Sequence, residues 1–263
     1  MSWSIYCSIG TFVVCSIVLG GQAPAPEPGP ATAPPTAPAG AEEPATVVSA
    51  FRGMAMYPAD RMRILLDQTY DAIDPKARAE LTRLLDEYKR KVDAAAEELG
   101  RNPPNQFVLT NRAQIEFAEN FEMDVLDPWL EANPRAKQAL ESAELALDDI
   151  DYALGEDREQ LLAAATRAGL PREKLAEAKR TIEQAAADRV AFLEGIARLQ
   201  KSLGRVPKDD PRTFQGMTLL SDVELKRLRV AATIRAKLRE LLPMDRRDML
   251  DEELAKMGAP GKS

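Results

Sequence analysis

Cys7 and Cys15 are the only thiols in the chain, and histidine is absent. Those two facts bound the chemistry. Ser-His-Asp and Cys-His catalysis need an imidazole to carry the proton. Zinc sites built on Cys and His need both residue types, and di-iron bundles of the Glu-x-x-His kind lose their nitrogen ligands. Carboxylate, guanidinium, ammonium and hydroxyl groups remain. Two carboxylates can hydrolyse a glycosidic bond, and Glu116 and Glu119 lie on the aromatic-rich stretch. Their spacing does not set them apart from ordinary surface acids. The few glycines mostly follow helix ends rather than forming a phosphate-binding loop. The sequence therefore predicts no catalytic residue, no cofactor and no metal ligand set.

Charge falls into two opposed blocks. Residues 141–160 hold Glu141, Glu144, Asp148, Asp149, Asp151, Glu156, Asp157 and Glu159 against Arg158 alone. Asp148, Asp149 and Asp151 offer the oxygens a hard cation wants. Neighbouring helical positions point apart, however, so the segment reads as a solvated acidic face. The counterpart is a basic amphipathic helix. Lys226, Arg227, Arg229, Arg235, Lys237 and Arg239 oppose Leu228, Ala231, Ile234, Leu238 and Leu241, with Arg246 and Arg247 following. Those six cations are the candidate partner-binding face, suited to anionic lipid, an acidic polymer or an acidic protein. They could equally lie against the acidic segment of the same molecule. Arg189 stands in an otherwise apolar heptad seam, where it can fix register, reach the bundle edge or contact an anion. Trp129, Phe117, Phe121 and Met123 read as core.

The elements that must position these residues are helical. The hydrophobic (45%) and charged (29%) fractions are globular, while the 5% of aromatics argues against a sandwich or barrel. A net charge of −7 argues against nucleic acid as a partner. Ahead of the body, Ser4 to Gly21 carries no charged side chain, and its apolar core runs from Ile5 to Leu19. That length fits a signal peptide cleaved before Gly21, with an uncleaved membrane anchor at 1–21 as the alternative. Val14 before Cys15 argues against a lipoprotein. Cleavage would remove both cysteines and with them any disulfide. Residues 22–45 hold eight of the 19 prolines and almost nothing to bury. They are predicted to be a disordered, extended Pro/Ala-rich linker.

Residues 46–263 are predicted to be one all-α domain, an antiparallel bundle or linked long hairpins. A short helix over Thr46–Met56 should stop at Pro58, and Asp60 should cap a second one to Ala72. Asp74-Pro75 opens a helix to Leu99, striped by Leu81, Leu84, Tyr88, Val92, Ala95 and Leu99. Asn111 should cap a helix to Val125. Asp127-Pro128 and Asn133-Pro134 look like fresh starts. The second opens Pro134–Leu154, with Ala136, Leu140, Ala143, Leu147, Ile150 and Leu154 inward and Gly155 as the stop. Asp157–Ala168 ends at Gly169, and Pro171–Leu203 is the longest element. Residues 205–220 read as a loop. Ser221 and Glu224 form a capping box for a helix to Leu242, and a last amphipathic stretch follows Pro243.

Such a chain is expected to be exported, periplasmic or extracellular, and non-catalytic. It should bind, scaffold or assemble in the cell envelope through helix faces, with a protein partner or a second copy. Membrane contact is expected only through an uncleaved 1–21 segment. The alternatives are a soluble periplasmic helical chaperone and, less favoured, a cofactor-free carboxylate hydrolase.

Overall fold

A computed structural model of the chain describes residues 47–101, 116–203 and 213–257. The leader at 1–21, the proline-rich linker at 22–45, the proposed cap at Asn111 and the first half of the 205–220 segment lie outside them. The described residues form helices and short connections, with no strand among them. The helices are α1 (Val47–Gln68), α2 (Pro75–Arg101), α3 (Asp127–Ala132), α4 (Pro134–Glu156), α5 (Arg158–Arg167), α6 (Leu175–Leu203), α7 (Thr213–Leu241) and α8 (Arg247–Ala255). α1 and α2 are joined by a short turn and pack on each other as a helical hairpin. α7 is the central element, touching α1, α4 and α6, while α8 closes against α4 and α5.

Several boundaries follow from local hydrogen bonding. Asp74 Oδ1 accepts from the Lys76 and Ala77 amides at 2.9 and 3.3 Å, capping α2 just before Pro75. Asp157 Oδ1 accepts from the Gln160 amide and caps α5. Gly169, at φ 99°, ends that helix. The Leu170 amide reaches back to Ala165 O and the Gly169 amide to Thr166 O, which is the Schellman pattern.

Elsewhere packing overrides the local signal. α1 runs unbroken through Pro58 and Asp60 instead of forming two helices. Phe51, Ala55, Met56, Tyr57, Ala59, Met62 and Leu65 are all buried, and that continuous apolar load outweighs one missing amide. The buried stripe of α2 is Leu81, Leu85, Tyr88, Val92 and Ala96, rotated from the predicted one at Leu84 and Ala95. Gly100 does not stop α2, which continues to Arg101. On α4 all six predicted apolar positions are buried. α6 is preceded by a 3-10 turn, Arg172–Lys174, and buries Ala178, Ile182 and Ala186, with Leu175 left 39% exposed. Helix α7 starts at Thr213, so Ser221 and Glu224 sit inside it and the capping box is unused. The intervening sequence has no proline and only Gly216 to oppose the helix.

The segment before α3 is a further departure. Residues 116–121 are helical, Glu122–Leu126 form one π turn, and the chain passes into α3 without a break. The Asp127 amide donates to Glu122 O across that wide turn. Pro128 cannot make the next bond of an α-helix, and the inserted π residue lets the helix continue past it. Asn133 was expected to cap α4. α4 does open there, with Asn133 at the N-cap position before Pro134, but the Asn133 side chain caps no α4 amide and donates back to Trp129 O at 2.9 Å.

Candidate functional site

Helix α4 gathers the molecule's charge. Its inner side is apolar, yet Asp149 and Asp151 are buried there as well. A carboxylate taken out of water is costly unless cations meet it. Asp151 meets two. Arg189 Nε and Nη2 reach Asp151 Oδ1 and Oδ2 at 2.8 and 3.3 Å. Arg227 Nε reaches Oδ2 at 2.8 Å, and its Nη2 is in contact too. Burial alone would raise the Asp151 carboxyl. The two sets of hydrogen bonds and the charges behind them outweigh it and hold the group below its ordinary value. Gly155 makes room for this arrangement. A Cβ there would stand 3.0 Å from Arg189 Nη1. The glycine read as a helix stop is thus within α4, and its small size serves a close approach.

The charged network extends along α4. Arg61 of α1 pairs with Glu144 and also bears on Glu122 and Asp148. Burial raises the Glu122 carboxyl to about 7, Asp127 and Glu119 push the same way, and Arg61 opposes them. Burial of its carboxyl lifts Asp148 to about 6, helped by Glu144 and Asp149 and opposed by Arg61 and Arg227. Asp148 is exposed as a residue, so water screens part of that shift. From the π turn to α6, acids and arginines alternate: Glu122, Arg61, Glu144 and Asp148, Arg227, Asp151, Arg189. Asp148, Asp149 and Asp151 do not converge as a cation site. Among the described residues no group of acids could hold a metal ion.

The outer side of α4 is different. Leu145 is 47% exposed and Tyr152, seven residues on, is 39% exposed. Glu141, Asp148 and Glu156 share their face by helical spacing. Met123, expected in the core beside Phe121, is 58% exposed after the π turn. Phe121 is buried and stacks on Tyr88 with 3.9 Å between ring centroids. These two rings line a groove of about 290 Å³ with Phe117, Lys91 and Asp124. Glu116 and Glu119 are exposed and do not line that groove. Trp129 is buried, as its core reading requires, and its Nε1 finds no partner among the described residues.

The six-residue basic face is divided by the fold. Arg227 is drawn onto Asp151. Arg235 is buried, donating to Asp251 Oδ1 at 2.9 Å and to Gln68 O at 2.7 Å. Arg239 is also turned inward, onto Asp251 and Asp248. Lys226, Arg229 and Lys237 stay exposed and form no ion pair among the described residues. The sequence contained the apposition of acidic and basic segments as one option, but not which acid carries it. Asp151 differs from its seven acidic neighbours only through what α6 and α7 place around it. Compared with protein-family models, curated proteins and solved structures, the chain matches none.

Proposed function

We propose that the protein is exported and acts by binding: a non-catalytic helical scaffold of the cell envelope or its exterior that receives a partner helix on α4. The observation that carries this reading is the exposure of Leu145 and Tyr152 among Glu141, Asp148 and Glu156, on a helix whose other side is fixed by arginines. Two apolar anchors one heptad apart suit a helix laid alongside. The acids around them select for Lys and Arg on that helix. Export rests on the uncharged segment from Ser4 to Gly21. No described helix is long and apolar enough to cross a membrane.

A photo-crosslinking residue at position 145 or 152, introduced in the producing cell, tests the reading. One dominant adduct, absent when the residue replaces exposed Lys89 on α2, is the expected result. A ladder of many adduct masses would favour the chaperone, and equal adducts from all three positions would remove the docking face. A carboxylate hydrolase is favoured by one observation, the Glu122 carboxyl at about 7, in the range of a general acid. Neither the Tyr88 groove nor the cavity beside Arg239 is lined by Glu122, which leaves that reading second.

A further inference from the structure

Away from the α4 face, arginines from three helices line one polar cavity. Arg78 of α2, Arg239 of α7 and Arg247 of α8 border a space of about 480 Å³, together with Tyr70, Asp71 and Glu240. The three guanidinium groups are not equivalent. Arg239 is already paired with acids of the protein. It donates to Asp251 Oδ2 at 2.6 Å, to Arg247 O at 3.1 Å and to Asp248 Oδ1 at 3.2 Å, and it lies 4.0 Å from the Tyr70 ring centroid. Arg78 donates to Thr69 Oγ1 at 2.7 Å and to the Tyr70 carbonyl. No carboxylate among the described residues answers its charge. Arg247 has no side-chain partner among them at all, and its Nε is closed off from solvent without a hydrogen bond.

The cavity's geometry is fixed before anything enters it. Tyr70 stands at φ 46°, in the left-handed region that non-glycine residues rarely occupy. Such a conformation persists where the surroundings over-determine it. Here the Tyr70 carbonyl is held by Arg78 and its ring by Arg239 and Arg235. Asp71 and Glu240 are both exposed and form no ion pair with either uncompensated arginine. A planar fork of N–H donors matches carboxylate and phosphate oxygens, and the volume lies within the roughly 300–1,000 Å³ typical of small-molecule sites.

We propose that this cavity binds a small oxyanion, a phosphate or carboxylate group. Arg247 and Arg78 are its contacting cations, and Arg239 is the positioning residue that holds Tyr70. Titration calorimetry on the whole chain, in chloride buffer, takes inorganic phosphate and citrate as separate probes. Saturable binding of one equivalent of either is expected, and which one binds identifies the source of the oxyanion. Arg247→Gln should weaken that binding by about tenfold or more, with little movement of the ligand-free unfolding midpoint, because its side chain forms no hydrogen bond or ion pair among the described residues. Arg247→Lys, which keeps charge but not the fork, should fall between. Lys237→Gln, exposed on α7, should bind as the parent does. The proposal is overturned if neither probe binds at tens of millimolar, or if Arg247→Gln binds no worse than Lys237→Gln.

Discussion

A buried carboxylate with two guanidinium partners is worth most when all three are present. Removing the anion leaves two cations without a counter-charge, Arg189 largely out of water, whereas removing Arg227 leaves a pair. Asp151→Asn should therefore cost about 3 kcal/mol in urea unfolding. Arg227→Ala should cost only about 1 kcal/mol, because its side chain is 46% exposed and its charge is partly screened. Equal, small losses for the two would show that the cluster does not brace the helices. Glu122 supplies the pH dependence. Its carboxyl is raised from an ordinary 4.5 to about 7, so the folded state holds a proton that the unfolded chain has released. The stability from that proton is complete below pH 4.5 and is lost as pH rises to about 7. Asp151 acts oppositely: its lowered value stabilises above 3.8 and fails as pH falls below it. The melting temperature should therefore peak near pH 4 and decline until about pH 7. Glu122→Gln should flatten that decline, an effect on the order of 1 kcal/mol after screening.

At the scale of elements, α1 and the π turn show two ways to pass a proline. In α1, Pro58 withholds an amide from Met54 O, and Tyr88 Oη donates to Ala55 O at 2.6 Å in the same turn. Pro58→Ala should restore the ladder and stabilise by about 1 kcal/mol net, the regained bond being offset by lost ring packing. Destabilisation in the same urea titration would mean that the proline ring is the tighter constraint. These elements also mark how far sequence reasoning reaches. Asp74, Asp157 and Gly169 were legible because their hydrogen bonds close within a few residues. The inward stripe of α4 was legible because its period is regular. Pro58, Gly155 and Ser221 misled, because each is governed by a neighbour distant in sequence or by the pull of a continuous apolar face. Nothing local in Glu122-Met-Asp-Val-Leu126 announces a π turn, and Met123 followed it outward.

On the scale of the whole molecule, the acidic and basic blocks meet through Arg227 and Asp151 where α4 packs on α7, and the outer face of α4 stays exposed. That face was hidden in the sequence, since Leu145 and Tyr152 look like ordinary members of an amphipathic helix until the packing leaves them outside. The basic helix nominated in its place turns Arg227, Arg235 and Arg239 onto acids of the same molecule. Helix α4 is braced by arginines on one side and, in the proposed function, takes its partner on the other. The most direct test is the affinity of the partner identified by crosslinking for the double variant Leu145→Glu, Tyr152→Glu. A loss of about 30-fold or more is expected, the size of a hot-spot anchor pair, with the double variant still folding cooperatively because both side chains stand partly in solvent, at 47% and 39% exposure. Affinity within twofold of the parent would contradict it.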